Sequence, residues 1–294
     1  MTETDPAPST EPASDEPVPV LLVTPESLDV TLDALPGPEA AWARAQGFRA
    51  KPGSHIALPA PDGGTARVLI GRADPATRRR VRFPTGSFAA EAPEGIYRIE
   101  TAIGHAEAEE AALGWLLARY RFDRYKSMGP EREAELLVPD GVDGRRLGLV
   151  AEGVFLARDL INTPANDMGP EDLEAVVQRL ADNHGATLEV TAGDDLLAAN
   201  LPLIHAVGRA SARRPRLLDL TWGRPDAPAV TLVGKGIVFD TGGLNLKPAG
   251  GMALMKKDMG GAATVLGLAH MIMSLGFDIR LRVLVPAAEN SVSG

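Results

Sequence analysis

Short apolar runs alternate with amphipathic stretches along this chain. VPVLLVT (18–24) and ARVLIGRA (66–73) are apolar runs of strand length, and AELLVP (134–139) is a shorter one. Between them, AEAEEAALGWLLARYRF (106–122) carries acidic residues early and an apolar face through Ala112, Trp115, Leu116 and the stem of Arg119, which predicts a helix. RRLGLVAEGVFLARDLIN (145–162) predicts a longer helix, ending near Thr163-Pro164 because the residue before a proline avoids helical dihedrals. In GPEDLEAVVQRLADNHG (169–185), Pro170 sits in the first turn, Glu171 and Asp172 face the positive end of the dipole, and Gly185 is the stop. ATLEVT (186–191), LPLIHAVGRAS (201–211), RLLDLTW (216–222) and AVTLVGKG (229–236) read as strands, the last as a buried one. GGAATVLGLAHMIMSLG (260–276) reads as a helix opening on small residues, and DIRLRVLVPAAEN (278–290) returns as a strand.

Strands separated by helices predict an α/β chain. We expect a small N-terminal α/β domain over 18–144, a connecting helix at 145–162, and a second domain over 163–294. The second domain is expected to hold a largely parallel central sheet flanked by helices. In such sheets, ligands sit beyond the carboxyl ends of the strands.

Composition narrows the classes. Hydrophobic residues make up 45% of the 294, enough for a real core, and no apolar run reaches the ~18 residues of a membrane span. The first residues, 1–17, are acidic and proline-rich, without the basic and apolar regions of a signal or transit peptide; a disordered tail and a cytoplasmic location are expected. There are no cysteines, so a metal would need oxygen and nitrogen donors. With 30 Lys+Arg against 39 Asp+Glu, the net charge of −9 argues against general nucleic-acid binding. The basic runs at 77–83 and 209–216 read as solvated faces.

One stretch does not look like packing: VGKGIVFDTGGLNLKPAGGMALMKKDMGG (233–261), rich in glycine, with lysines at 235, 247, 256 and 257 and aspartates at 240 and 258. Glycine allows close approach of backbone, and Lys with Asp in one concave place is costly unless something is held there. A phosphate loop fails twice, since position 229 is Ala and 236 is Gly; a dinucleotide fingerprint fails at Phe239. There is no G-x-S-x-G and no H-E-x-x-H, and His270, in an apolar helix, reads as a satisfied core residue. What remains is a carboxylate-and-amine metal site, or a Lys–Asp ion-pair network. The second is cheaper for Lys235, because deprotonating a lysine at pH 7 costs about 4–5 kcal/mol before any metal bond forms.

The segment closely resembles the leucyl (cytosol) aminopeptidase family, cytoplasmic di-metal exopeptidases. RYRFDRYKS (119–127), RDLINTPANDMGP (158–170) and PLIHAVGRAS (202–211) agree with it in the same order, so the resemblance runs from about 106 to 290. It implies that Lys235 of VGKG is a ligand of one metal, that Asp240 of FDTGG bridges both, and that Asp258 of KKDM is a further ligand on the lysine's metal. It also implies that Lys247 of LNLKP is the catalytic cation polarising the scissile carbonyl, also touching substrate, and that Met255 lines the pocket for the substrate's first side chain. The implied cofactors are two divalent ions, Mn²⁺ or Zn²⁺, with a bicarbonate held by an arginine as proton shuttle. The implied partners are peptide N-termini, with no membrane, and the family assembles as hexamers.

The family's next motif, Asn-Thr-Asp-Ala-Glu-Gly-Arg, would supply two more carboxylates and that arginine. No such stretch occurs in these 294 residues. The expectation is therefore a fragment of a longer aminopeptidase in which Lys235 stays an ammonium paired with Asp240 or Asp258, and in which no stable di-metal centre forms. A non-catalytic relative acting through binding or subunit association is the alternative.

Overall fold

The computed structural model describes residues 16–74, 77–78, 81–130 and 133–292. The chain divides into two compact units, one of residues 1–121 and 127–147, the other of 122–126 and 148–294. Most of the expected tail at 1–17 lies outside the described residues.

The first unit is built on a five-stranded sheet. Its elements are β1 (Val18–Val23), α1 (Leu28–Asp33), α2 (Gly37–Ala45), β2 (His55–Pro59), β3 (Thr65–Gly71), α3 (Gly86–Ala89), β4 (Gly95–Ile99), α4 (His105–Ala118) and β5 (Ala134–Leu136). The strand order is β2-β3-β1-β4-β5; β1 is parallel to β3 and β4, β5 is parallel to β4, and β2 is antiparallel to β3. The apolar run of β1 has a physical reason, since a central strand is buried on both faces. Val20 and Leu22 pack with Val68, Ile70, Tyr97 and Trp115, while Val23 joins Leu32, Ala43, Leu58 and Leu69 in a second cluster. Alternate residues of β1 and β3 thus enter different cores, as the period of a strand requires. The basic run at 77–83 is not simply solvated: Arg78 and Arg82 both reach the buried Glu110, each at 3.2 Å.

The second unit carries α5 (Gly144–Asn162, most of it), α6 (Pro170–His184), β6 (Thr187–Ala192), α7 (Asp195–Ala198), α8 (Pro202–Gly208), β7 (Arg216–Trp222), β8 (Ala229–Val233), β9 (Gly236–Asp240), α9 (Ala249–Met252), α10 (Gly260–Ser274) and β10 (Arg280–Asn290). Its strand order is β6-β7-β10-β8, with β9 also on β10. β10 pairs antiparallel with β7 on one side. On its other side its first half pairs in parallel with β8, and its last residues pair in parallel with β9. The two short strands therefore share one edge of β10, with Gly234 and Lys235 in the gap. Pro286 of β10 explains the gap: it has no N–H to give a neighbouring strand, and its carbonyl lies against Gly236.

Two of the expected strands need correction. LPLIHAVGRAS is not a strand; it forms α8, with Pro202 in the first turn, where its fixed φ suits a helix. Leu203 is 79% exposed, so the apolar run does not report burial there. β8 is also not a buried strand, because Thr231 and Val233 are exposed on an edge with one covered face. The basic run at 209–216 is tied down, with Arg213 donating to the carbonyl oxygens of Ala165 and Asn166 at 2.8 and 2.7 Å, and Arg216 paired with Glu174.

Candidate metal and catalytic site

The gap in the ladder sets the position of Lys235. Gly234 and Gly236 on either side admit no side chain: a Cβ on the first would stand 2.7 Å from Ala262 Cα, and one on the second 2.7 Å from the Pro286 carbonyl. The Ala262 N–H donates to the Lys235 carbonyl at 2.9 Å, fixing the start of α10 against this step. A 3-10 turn, Met255–Met259, leads into α10 and carries Asp258. There the Lys235 ammonium, its side chain 58% exposed, meets Asp258 Oδ2 at 2.8 Å. Asp258 Oδ2 is buried and has no donor aligned on it, so this contact is Coulombic rather than a directed hydrogen bond.

Asp240 ends β9, and the turn after it depends on glycine. Gly242 and Gly243 take φ values of +91° and +64°, and the Lys247 N–H returns to the Thr241 carbonyl at 2.8 Å. This loop brings the Lys247 ammonium to 3.0 Å from Asp240 Oδ2. The other oxygen, Oδ1, accepts from the Gly242 N–H at 3.0 Å and from the Asn290 amide at 2.6 Å. Burial pushes the Asp240 carboxyl up, but the bonds from Lys247, Gly242 and Asn290 outweigh it, and its pKa lies below the ordinary value.

The structure thus pairs the four charged residues two by two, Lys235 with Asp258 and Lys247 with Asp240. Of the two partners expected for Lys235, Asp258 is the one found. Met255 opens the 3-10 turn, partly buried. His270 is satisfied, with Nδ1 3.3 Å from His184 Nε2 and Nε2 3.3 Å from Glu152. Sequence reasoning missed Asn290, whose only signal is its place at the end of the strand facing FDTGG, and Lys256, one of several lysines in the run.

The donor chemistry suits a hard divalent cation in part. A buried carboxylate oxygen without an aligned donor, beside an amine that can ligate only when neutral, offers two of the donors that such a cation takes. Among the described residues, however, no group of three or more His, Cys, Asp or Glu is placed to hold a metal ion. The residues fit one side of a cation site; they do not make a two-ion centre by themselves.

Comparison with known proteins agrees with that chemistry. Residues 155–294 match the catalytic domain of the cytosol aminopeptidase family, and residues 18–139 match the N-terminal domain of the M17 aminopeptidases. The chain belongs to the cytosol aminopeptidase family. It is 41% identical over 195 residues to a probable cytosol aminopeptidase of Roseiflexus castenholzii, an alignment covering 62% of this chain and 40% of that relative. The crystal structure of the cytosol aminopeptidase from Coxiella burnetii superposes with a TM-score of 0.83 at 38% identity, covering 95% of this chain and 60% of that one. The bottromycin maturation enzyme BotP in complex with Mn gives a TM-score of 0.77 at 33% identity, again over 95% of this chain and 60% of that one. The chain therefore spans roughly two fifths of the curated relative's length and three fifths of these solved chains. Membership makes the fold that of a metallo-aminopeptidase, two α/β units with flanking helices. No helix among the described residues is long and apolar enough to cross a membrane.

Proposed function

We propose that this chain supplies part of the metal and substrate centre of a leucyl-type aminopeptidase, which removes N-terminal residues from peptides in the cytoplasm. The observation that carries this reading is the Lys235–Asp258 contact at 2.8 Å, in the gap of a broken ladder. An amine 2.8 Å from a buried carboxylate oxygen brings two potential metal donors to one point. In this reading residues 163–294 are the first part of the catalytic domain, and 18–144 are a separate α/β domain joined through the helix at 145–162.

Each residue then has a task. Lys235 and Asp258 would hold one ion, and Asp240 would be shared with the second. When bound, Mn²⁺ or Zn²⁺ supplies Lewis acidity to the scissile carbonyl and to the attacking water. Lys235 Nζ must give up a proton before its lone pair can ligate, and the Coulombic pair with Asp258 keeps that nitrogen beside the carboxylate meanwhile. Lys247 would turn its ammonium from Asp240 to the carbonyl oxygen of the substrate, where positive charge is worth most as negative charge develops. Met255 would border the first side chain of the peptide. A bicarbonate shuttle and hexameric assembly belong to the same reading.

A second reading rests on the two ion pairs themselves. With both carboxylates paired to lysines and, among the described residues, no group of three or more His, Cys, Asp or Glu placed to hold a metal ion, this chain alone would be a non-catalytic form that acts through binding or association. One assay separates the two. Release of leucine from leucine amide is measured with added Mn²⁺ and with chelator, on this chain and on the chain joined to the missing Asp-Ala-Glu-Gly-Arg stretch of its family. No turnover from the chain alone and chelator-sensitive turnover from the joined protein is the expected result. Chelator-insensitive turnover, or none in either, sinks the aminopeptidase assignment.

A further inference from the structure

We propose that Asn290 is the positioning residue of Asp240, fixing its carboxylate so that Oδ2 alone is offered to a divalent cation; this rests on the metallopeptidase reading above. Asn290 ends β10 in direct register with Asp240, the end of β9. Its side-chain amide donates to Asp240 Oδ1 at 2.6 Å, and the Gly242 N–H donates to the same oxygen at 3.0 Å. Its main-chain carbonyl accepts from the Thr241 N–H at 3.0 Å and from Thr241 Oγ1 at 2.8 Å. Backbone and side chain of Asn290 therefore both grip the turn that follows Asp240.

The fit is close on the far side too. A Cβ on Gly243 would stand 3.3 Å from Asn290 Oδ1, so a larger residue there would press on the amide. With Oδ1 taken by two donors, the carboxylate cannot rotate to exchange its oxygens without losing both bonds. Oδ2 is left facing the Lys247 ammonium at 3.0 Å, so a lysine stands where a metal cation would be met. Ligating carboxylates are oriented by such outer partners, and their removal costs about 10–100-fold in metal affinity.

The test is a calorimetric titration of Mn²⁺ into the purified chain, as parent, Asn290→Leu, Asp240→Asn and the double variant. Leu keeps the volume and removes the donor; Asn290→Ala serves in its place if circular dichroism shows Asn290→Leu to be unfolded. Asn290→Leu is expected to weaken Mn²⁺ binding about tenfold or more. The same substitution is expected to change nothing further once Asp240 is Asn, which a merely structural role would not produce. Lys247→Met, which removes the competing ammonium, is expected to tighten binding. Unchanged affinity in Asn290→Leu, an equal loss in both Asp240 backgrounds, or weakening in Lys247→Met overturns the proposal and leaves the metallopeptidase reading standing. Mn²⁺ binding by none of these proteins also overturns the proposal, and leaves the metallopeptidase reading standing because that reading gives this chain only part of the centre.

Discussion

The ammonium of Lys256 donates to the main-chain carbonyl oxygens of Ile161 and Asn162, at 3.0 and 2.9 Å. Those carbonyls close α5, where no further N–H of the helix can reach them and the dipole ends negative. Lys256 also lies in the 3-10 turn that carries Met255 and Asp258, so a single side chain both caps the helix and holds the turn. Lys256→Met keeps the stem and deletes both bonds. A loss of about 2–3 kcal/mol in unfolding free energy is expected, since one hydrogen bond to a charged group contributes roughly 1.5–3 kcal/mol. Urea denaturation reads it, and Lys256→Arg should recover most of the loss. A Met variant as stable as the parent would show that these bonds are idle.

Helices α5 and α10 cross at glycines. A Cβ on Gly267 would lie 2.4 Å from the Gly153 carbonyl oxygen, and one on Gly153 would lie 2.6 Å from that of Gly267. Backbone cannot step aside as a side-chain tip can, so Gly267→Ala is expected to lower stability by about 1–3 kcal/mol. Gly148→Ala, in the same α5 but with nothing within 4 Å of the new carbon, is the control and should hold or gain stability. Equal melting temperatures for the two variants would contradict the close crossing.

Asp240 makes acid stability measurable. Its carboxyl, raised by burial but lowered further by Lys247, Gly242 and Asn290, titrates below the ordinary 3.8. A depressed carboxylate contributes stability that is fully present above its unfolded pKa and is lost as pH falls through the lower folded value. The parent should therefore lose stability more steeply than Asp240→Asn as pH drops below the ordinary carboxylate range. Urea midpoints of both proteins across that range, if they run parallel, refute the linkage.

His184 gives a second window. Burial first, and then the neighbouring His270 at 3.3 Å, hold its imidazole below the ordinary 6.5. His270 in turn faces Glu152 at 3.3 Å. A histidine kept neutral in the fold contributes stability above its unfolded pKa that is lost as pH falls. His184→Gln is expected to flatten the stability curve between about pH 7 and pH 5, the range where an imidazole takes its proton. Unfolding midpoints that change with pH identically in both proteins would remove His184 from the account.

Much of this molecule was legible before any fold was seen. The apolar runs of β1, β3 and β10 and the capped pattern of α6 mark their own elements, because burial on both faces and a glycine stop leave direct traces in residue order. Gly185 is such a trace, ending α6 in the left-handed conformation at φ 64°. The run over 202–208 was misread because a short apolar stretch fits either period, and Pro202 decides it only once the first turn is formed. Lys235 and Asp240 stood out as charged residues near strand ends, where a sheet of this class places its ligands.

Which lysine meets which carboxylate was not legible. That choice depends on how far the turn at Gly242 and Gly243 folds back, and turn geometry is not written in the spacing of charges. Asn290 and Lys256 were silent for a related reason: the first acts through the register of two parallel strands, the second on carbonyls 94 and 95 residues away. The amino-acid order by itself determined the α/β class, most of the elements and the family of chemistry, because these follow from local period and residue type. Only the tertiary structure decided the two ion pairs, the burial of Asp258 Oδ2 and the grip of Asn290 on Asp240, because each is a relation between groups that chain connectivity leaves free.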